Sequence, residues 1–259
     1  MLLAVDIGNT NTVFAVFKGD ELVNSWRLSS DAGQRSADEY AAFLRELFAL
    51  SDLSWDGVKD VIVSSVVPEA NFALRGFCQK YLGLEAVFVT KDMAGISAKI
   101  DRPSEVGADR LVNAVAVAAQ YDVPAVVVDF GTATTFDVID GDGNYAGGVI
   151  APGIHLSMTA LHQAASKLPK ISVKRPEKAI GGDTVSAMQS GVYWGYMGLI
   201  DRILSEVKAQ LSSENSGDVK VIATGGLAPL FAADNPAIDI VDEDLTLKGL
   251  YLIAEKHTA

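Results

Sequence analysis

Cysteine is almost absent: Cys78 is the one cysteine in 259 residues, so no disulfide can form within the chain and a cysteine-based metal site is disfavoured. A buried, inert thiol is expected there. Positive charge is also scarce. Lys plus Arg number 21 against 33 Asp plus Glu, a net charge of −12, which argues against a nucleic-acid partner or an anionic membrane surface, both of which are held by basic faces. No apolar run approaches the roughly 18 residues that a membrane span needs. The apolar start Leu2 to Val5 has no basic region before it and meets Asp6 within a few residues, so it reads as a first strand and not as a signal peptide. A soluble, cytoplasmic protein is the expectation. His155, His162 and His257 stand at no metal-ligand spacing and read as surface or packing residues. The sequence has no Gly-x-Gly-x-x-Gly fingerprint, no Gly-x-x-x-x-Gly-Lys-Thr loop and no Ser-His-Asp hydrolase signal, so the usual dinucleotide and P-loop readings fail.

What is present is hydrophobic material, 49% of the residues, enough for two cores. The first 17 residues set the pattern. An apolar strand ends in Asp6-Ile7-Gly8-Asn9-Thr10-Asn11-Thr12, and a second apolar run starts at Val13. That is a hairpin with a polar tip. Gly8 lets a ligand approach the backbone, and Asn9, Thr10, Asn11 and Thr12 add side-chain donors to the main-chain N–H groups, a composition suited to phosphate oxygens. Asp6 is placed to reach a divalent cation or its waters. A polar turn with no ligand explains the stretch equally well on its own.

A second copy decides between the two. In residues 125 to 139, Asp129, Gly131 and Thr135 fall where Asp6, Gly8 and Thr12 fell, at an offset of 129 − 6 = 123. Two such hairpins in one chain indicate a duplicated domain that grips phosphates from two sides. The rest of the chain repeats the plan of three strands, helix, strand, helix, strand, helix. A capping box at Ser36 and Glu39 opens a helix through Tyr40, Leu44 and Phe48; strands are expected at 61–67, 86–90, 145–150 and 219–223, and helices at 69–82, 111–120, 154–165, 184–211 and 245–256. The soft boundary near residue 112 gives two domains, 1–112 and 113–259, the second with inserted helices. The long helix carries Gly191, Gly195 and Gly198 among apolar residues. Each glycine costs about 1 kcal/mol against alanine in a helix, and close approach of another backbone, inside the chain or in a homodimer, is the expected return.

Gly107-Ala108-Asp109-Arg110 lies between the copies, at the start of a helix. Asp109 is either a helix cap or a carboxylate placed to take a proton from an attacking hydroxyl, with Arg110 beside it to hold an anionic group. Gly181-Gly182-Asp183-Thr184 opens the long helix, where Asp183 or Thr184 is a cap or a substrate contact. Val149 to Gly153 and Thr224-Gly225-Gly226 are glycine-bearing turns at strand ends.

In order along the chain, Asp6-Ile-Gly-Asn-Thr-Asn, Gly107-Ala-Asp-Arg110, Asp129-Phe-Gly-Thr-Ala-Thr-Thr, Gly147-Gly-Val-Ile-Ala-Pro-Gly153, Lys167-Leu-Pro169, Gly181-Gly-Asp-Thr184 and Thr224-Gly-Gly226 resemble the type III pantothenate kinase family. More widely, the chain resembles the superfamily of acetate and sugar kinases, heat-shock chaperones and actin. The resemblance implies an α/β fold of two duplicated actin-like (ribonuclease H-like) domains, each a mixed five-stranded sheet flanked by helices, with ATP in the cleft between them. It implies ATP-dependent phosphorylation of pantothenate to 4′-phosphopantothenate, the first step of coenzyme A synthesis, by a homodimer. By it, Asp109 is the general base; Asp6, Ile7, Gly8, Asn9, Thr10, Asn11, Thr12 and Val13 bind ATP, with Asp6 toward Mg²⁺; and Thr132 touches the phosphates. Gly107, Ala108, Asp109, Arg110 and Thr184 would contact pantothenate, and Asp129 would hold a monovalent cation, K⁺ or NH₄⁺. The chain departs from the family at Ile100, where many members have a tyrosine on the pantothenate side. The rival readings are a phosphohydrolase of the same superfamily, marked by acceptor-independent phosphate release, and a non-enzymatic ATP-binding regulator.

Overall fold

The computed structural model describes residues 1–30, 35–165, 167–213 and 218–258; residues 31–34 of the polar loop expected over Ser29 to Ser36 lie outside them. Two compact units are present. Unit 1 comprises Met1–Ser97, Asp101–Tyr121 and Asp244–Ala259, and unit 2 Ala98–Ile100 and Asp122–Glu243. Residues 113–121 and the final helix therefore belong with the first sheet, although both follow the sequence boundary expected near residue 112. No helix among the described residues is long and apolar enough to cross a membrane.

Unit 1 is built on β1 (Leu2–Ile7), β2 (Asn11–Lys18), β3 (Glu21–Ser29), β4 (Asp60–Ser65) and β5 (Ala86–Phe88). They form a sheet in the order β3-β2-β1-β4-β5. β1 runs antiparallel to β2 and parallel to β4. Side chains alternate across a strand, so Leu3, Val5 and Ile7 share one face. There they are buried with Tyr40 and Leu44 of α1 (Ala37–Leu50) and Leu74 and Phe77 of α2 (Pro68–Phe77). The expected capping box is formed, Ser36 and Glu39 exchanging both bonds, and α2 continues into a wider turn over Cys78–Leu82. Cys78 is buried, and burial pushes its thiol up to about 12, which makes it unreactive.

Ala4 and Asp6 look to the opposite face of that sheet. After the single turn α3 (Lys91–Ala94), α4 (Ala108–Gln120) covers this face together with α8 (Leu245–Thr258), which packs on α4, β1 and β4. The two helices meet closely enough that a Cβ on Gly249 would collide with the Val112 carbonyl, and Thr246 Oγ1 donates to Asn113 Oδ1 at 2.7 Å. This contact makes the last helix part of unit 1.

Unit 2 repeats the sheet with β6 (Ala125–Phe130), β7 (Ala133–Ile139), β8 (Tyr145–Pro152), β9 (Lys220–Thr224) and β10 (Ile240–Val241). Its order, β8-β7-β6-β9-β10, is that of the first sheet. Two mixed five-stranded sheets flanked by helices, as the resemblance implies, are thus present. Val126, Val128 and Phe130 are buried against Tyr193, Tyr196, Met197 and Ile200 of α6 (Thr184–Ser213) and Phe231 of the short α7 (Ala228–Ala232); α7 follows the Thr224-Gly225-Gly226 turn and is not foreseen by periodicity. α5 (Ile154–Ala164) precedes α6. The buried stripe of α6 at Tyr193, Tyr196, Met197 and Ile200 leaves Gly191, Trp194, Gly195 and Gly198 exposed. A Cβ on any of those three glycines would meet nothing within 4 Å in this chain. The close backbone approach expected of them is not made inside the chain.

Candidate active site

In unit 1 the β1–β2 tip is a tight connection in which Gly8 N donates to Asn11 O at 2.9 Å. Asn9 and Thr10 are exposed while Thr12 is buried. Ser30, at the end of β3, braces the tip from beneath: its hydroxyl donates to Gly8 O at 2.5 Å and lies 3.0 Å from Thr12 Oγ1, and its N–H donates to Thr10 O at 2.9 Å. Sequence reasoning did not single out Ser30, because its partners lie some 20 residues away and only the β2–β3 pairing brings them together.

Asp6 sits one row below the tip. Its cross-strand neighbours are Val13 on β2 and Ser64 on β4, so all three side chains are on the α4/α8 face. That face also receives Asp109. Gly107 is the N-cap of α4, which puts Asp109 in the first turn and removes the reading of Asp109 as the cap itself. Its Oδ1 accepts from the Arg110 N–H at 2.8 Å and turns back over Gly107, where a Cβ would collide with it. Glycine at 107 is what leaves room for this carboxyl.

The Asp109 charge reaches Asp6. Asp6 is pushed up to about 7, first by desolvation and next by the negative charge of Asp109, against the opposing effects of Ser64 and the positive charge of Arg27. Desolvation also raises Asp109, opposed by the Arg110 N–H and guanidinium. Both carboxyls are thus raised above the ordinary carboxylate value, chiefly by burial. Ser64 is fully buried, and its hydroxyl has no partner at hydrogen-bonding geometry, although it lies near enough to Asp6 to favour the ionised carboxyl. Among the described residues no group of three or more His, Cys, Asp or Glu side chains is arranged to hold a metal. The donor set therefore fits a magnesium ion that takes most of its ligands from substrate phosphates and water, with Asp6 as a carboxylate anchor.

In unit 2 the tip is shorter. Asp6 pairs with Val13, seven residues on, whereas Asp129 pairs with Thr135, six residues on. Thr134, not Thr135, thus takes the place of Thr12, correcting the equivalence expected from the offset of 123. Thr134 is buried and its hydroxyl has no partner, while Thr135 Oγ1 donates to Asp137 Oδ2 at 3.0 Å. Glycines pack this tip closely. Gly225, at φ +88°, would carry a Cβ only 2.8 Å from Phe130 O and 2.9 Å from Asp129 Oδ1, and a Cβ on Gly153 would collide with the Thr132 carbonyl. Thr132 is exposed at the tip. The Asp129 carboxyl lies against Gly225 and Gly131, with Thr224 paired beside it. A carboxylate beside glycines that let the backbone approach closely is compatible with an oxygen-ligated monovalent cation.

Thr184 is the exposed first residue of α6; Asp183 is the residue that caps, accepting from Ser186 N at 2.9 Å. Thr184 lines an apolar groove of about 700 Å³ with Pro152, Leu161, Leu168, Gly191 and Gly195. Ile100 rests against Gly147, 3.5 Å from where its Cβ would lie. Of the histidines, His162 Nδ1 lies 2.6 Å from Leu168 O and His257 Nε2 lies 3.1 Å from Met93 O, which are packing roles.

Residues 2–206 match the model of the type III pantothenate kinase family. The chain belongs to that family. It is 50% identical over 260 residues to a type III pantothenate kinase of Paramagnetospirillum magneticum, covering 100% of this chain and 98% of that protein. With one from Halalkalibacterium halodurans it shares 46% over 258 residues, 99% of this chain and 100% of that protein. Among solved structures, the chain superposes on the inorganic polyphosphate/ATP-glucomannokinase of an Arthrobacter species with a TM-score of 0.52 at 17% identity, covering 99% of each chain. The 2-hydroxyglutaryl-CoA dehydratase component A of Acidaminococcus fermentans gives 0.55 at 12%, covering 100% of this chain and 99% of that one. At such low identity these two likenesses carry the fold alone.

Proposed function

We propose that the chain phosphorylates pantothenate with ATP, giving 4′-phosphopantothenate at the entry to coenzyme A synthesis, with Asp109 as general base. The observation that carries the reading is the Asp6–Asp109 pair. Both carboxyls are desolvated and raised, and Asp109 stands in the first turn of α4. A desolvated carboxylate accepts a proton more readily than a solvated one, which suits it to the primary hydroxyl of the acceptor. Phosphoryl transfer asks little covalent chemistry of the protein. Positioning and charge neutralisation supply most of the rate, and the base adds about 10²- to 10⁴-fold.

Residues 6–13 hold the ATP phosphates through the backbone of the first tip, and Thr132 contacts them from the second. Asp6 anchors magnesium, which when bound offsets phosphate charge. Asp129 holds the monovalent cation. Gly107, Ala108, Arg110 and Thr184 form the acceptor side, with Arg110 toward the pantothenate carboxylate. The exposed stripe Gly191, Trp194, Gly195 and Gly198, with the apolar groove beside it, supports a homodimer through α6, since an apolar patch of this kind is commonly covered by a partner. The protein works in the cytoplasm, with no nucleic-acid or membrane partner.

The test is ADP release from the purified chain with ATP and magnesium, with and without pantothenate, in potassium and in sodium buffer. Turnover that needs both pantothenate and potassium is expected. Release indifferent to pantothenate would mark a hydrolase, and no release in any buffer would leave a binding protein.

A further inference from the structure

The first hairpin carries one side chain that its copy lacks. Asp6 pairs with Val13, and Val13 pairs with Arg27 on β3, so Ser64, Asp6, Val13 and Arg27 form one row across four strands with their side chains on one face. The matching row of the second sheet is Thr224, Asp129, Thr135 and Ile150. The duplicated scaffold thus puts a cation in the first row where the second has an exposed isoleucine.

Arg27 is exposed, and among the described residues it enters no ion pair. Its backbone stands two strand spacings from Asp6, about 10 Å, a gap that the long side chain narrows, and its positive charge is felt at the Asp6 carboxyl. Arginine is the cation suited to phosphate, because its planar fork of donors matches two phosphate oxygens. A solvated charge that guards an edge strand is the plainer explanation. That role needs only some charge somewhere along β3; it does not ask for an arginine in the row of Asp6, beside a tip already built for phosphate.

We propose that Arg27 is a phosphate-binding residue of the nucleotide site, its guanidinium taking oxygens of the terminal phosphates of ATP beside Asp6. This rests on the assignment of residues 6–13 to ATP. It also answers a charge problem: Asp6 and Asp109 are both acids, and an incoming polyphosphate needs a fixed positive charge on that face in addition to magnesium.

The test is equilibrium binding of a non-hydrolysable ATP analogue with magnesium, and of AMP, to the full-length wild type, Arg27→Ala, Arg27→Gln and Arg27→Lys. Arg27→Ala and Arg27→Gln are expected to weaken the analogue by about tenfold to a hundredfold, the usual worth of a charge-assisted hydrogen bond. AMP binding stays as in the wild type, and Arg27→Lys recovers part of the loss. Arg27→Gln keeps most of the side-chain stem, and an unchanged melting temperature in either variant confirms the fold. Analogue affinity equal to wild type in Arg27→Ala and Arg27→Gln would overturn the assignment of Arg27 alone. A wild type that binds no analogue at all would instead remove the nucleotide reading on which it rests.

Discussion

The two hairpins share strand order and direction of pairing but not chemistry. The first places Asp6 on a face where Asp109 of α4 and the orphan hydroxyl of Ser64 meet it. The second packs the Asp129 carboxyl against Gly225 and Gly131. The first tip is braced by a side chain, Ser30, while the second is packed by the bare backbones of Gly153 and Gly225. Duplication thus conserves the scaffold and frees the neighbours. On the proposed reading, the first carboxylate serves proton and magnesium chemistry and the second holds a monovalent cation.

The largest effect expected to sharpen this contrast is at the two aspartates. Asp6→Asn should cut turnover by at least about 10²-fold, the scale on which losing charge stabilisation at a transferring phosphate is felt. Its effect on stability has the opposite sign. The folded pKa of about 7 stands above the ordinary 3.8, so the folded chain binds a proton that the unfolded chain gives up. Stability is lost as pH rises from about 4 to 7 and stays low above that. Asp6→Asn should therefore raise the melting temperature at pH 8 by roughly 2 °C or more, a gain that fades below pH 5; no gain at pH 8 would mean that Asp6 is not desolvated. Asp129→Asn should instead remove the advantage of potassium over sodium in steady-state turnover.

Next in size are the glycines of the second tip. Gly225→Ala meets both a left-handed φ and backbone oxygen under 3 Å away, and should cost about 2–4 kcal/mol in chemical unfolding. Gly8→Ala at the first tip meets one carbonyl at 3.2 Å and should cost less than about 1 kcal/mol. Equal costs would erase the distinction between a glycine-packed and a side-chain-braced tip. Ser30→Ala removes the brace and should cost about 1–3 kcal/mol, because Thr12 Oγ1 is buried and loses its partner. Smallest is Ser36→Ala at the α1 capping box, about 1 kcal/mol, which should touch neither site.

Much of this was legible in the chain. Asp-x-Gly after an apolar run, twice, placed both hairpins, and the capping box at Ser36 placed the start of the first helix, because these signals are local and physical. What stayed hidden is set by distance in sequence or by turn length. The second tip is one residue shorter, so Thr134 replaces Thr12 and Thr135 replaces Val13; turn geometry fixes register, and a repeat in the letters does not reveal it. The return of the last helix to unit 1 depends on the Gly249 contact with Val112, more than a hundred residues apart. The meeting of Asp6 with Asp109 is of the same kind: each residue stood out alone, and only the helix on the sheet face makes them a pair. The exposed glycines of α6 could be recognised as unusual, but which side of the helix they line follows from the packing of Tyr193 and Tyr196.

The central claim is that the two carboxyls of unit 1 divide the work, with Asp109 moving the proton. The most direct measurement pairs ATP-analogue binding with pantothenate-dependent ADP release in Asp109→Asn, a change that keeps the shape of the side chain. The account predicts analogue binding as in the wild type and turnover lowered by at least about 10²-fold. Turnover at the wild-type rate would contradict it and remove Asp109 from the base role.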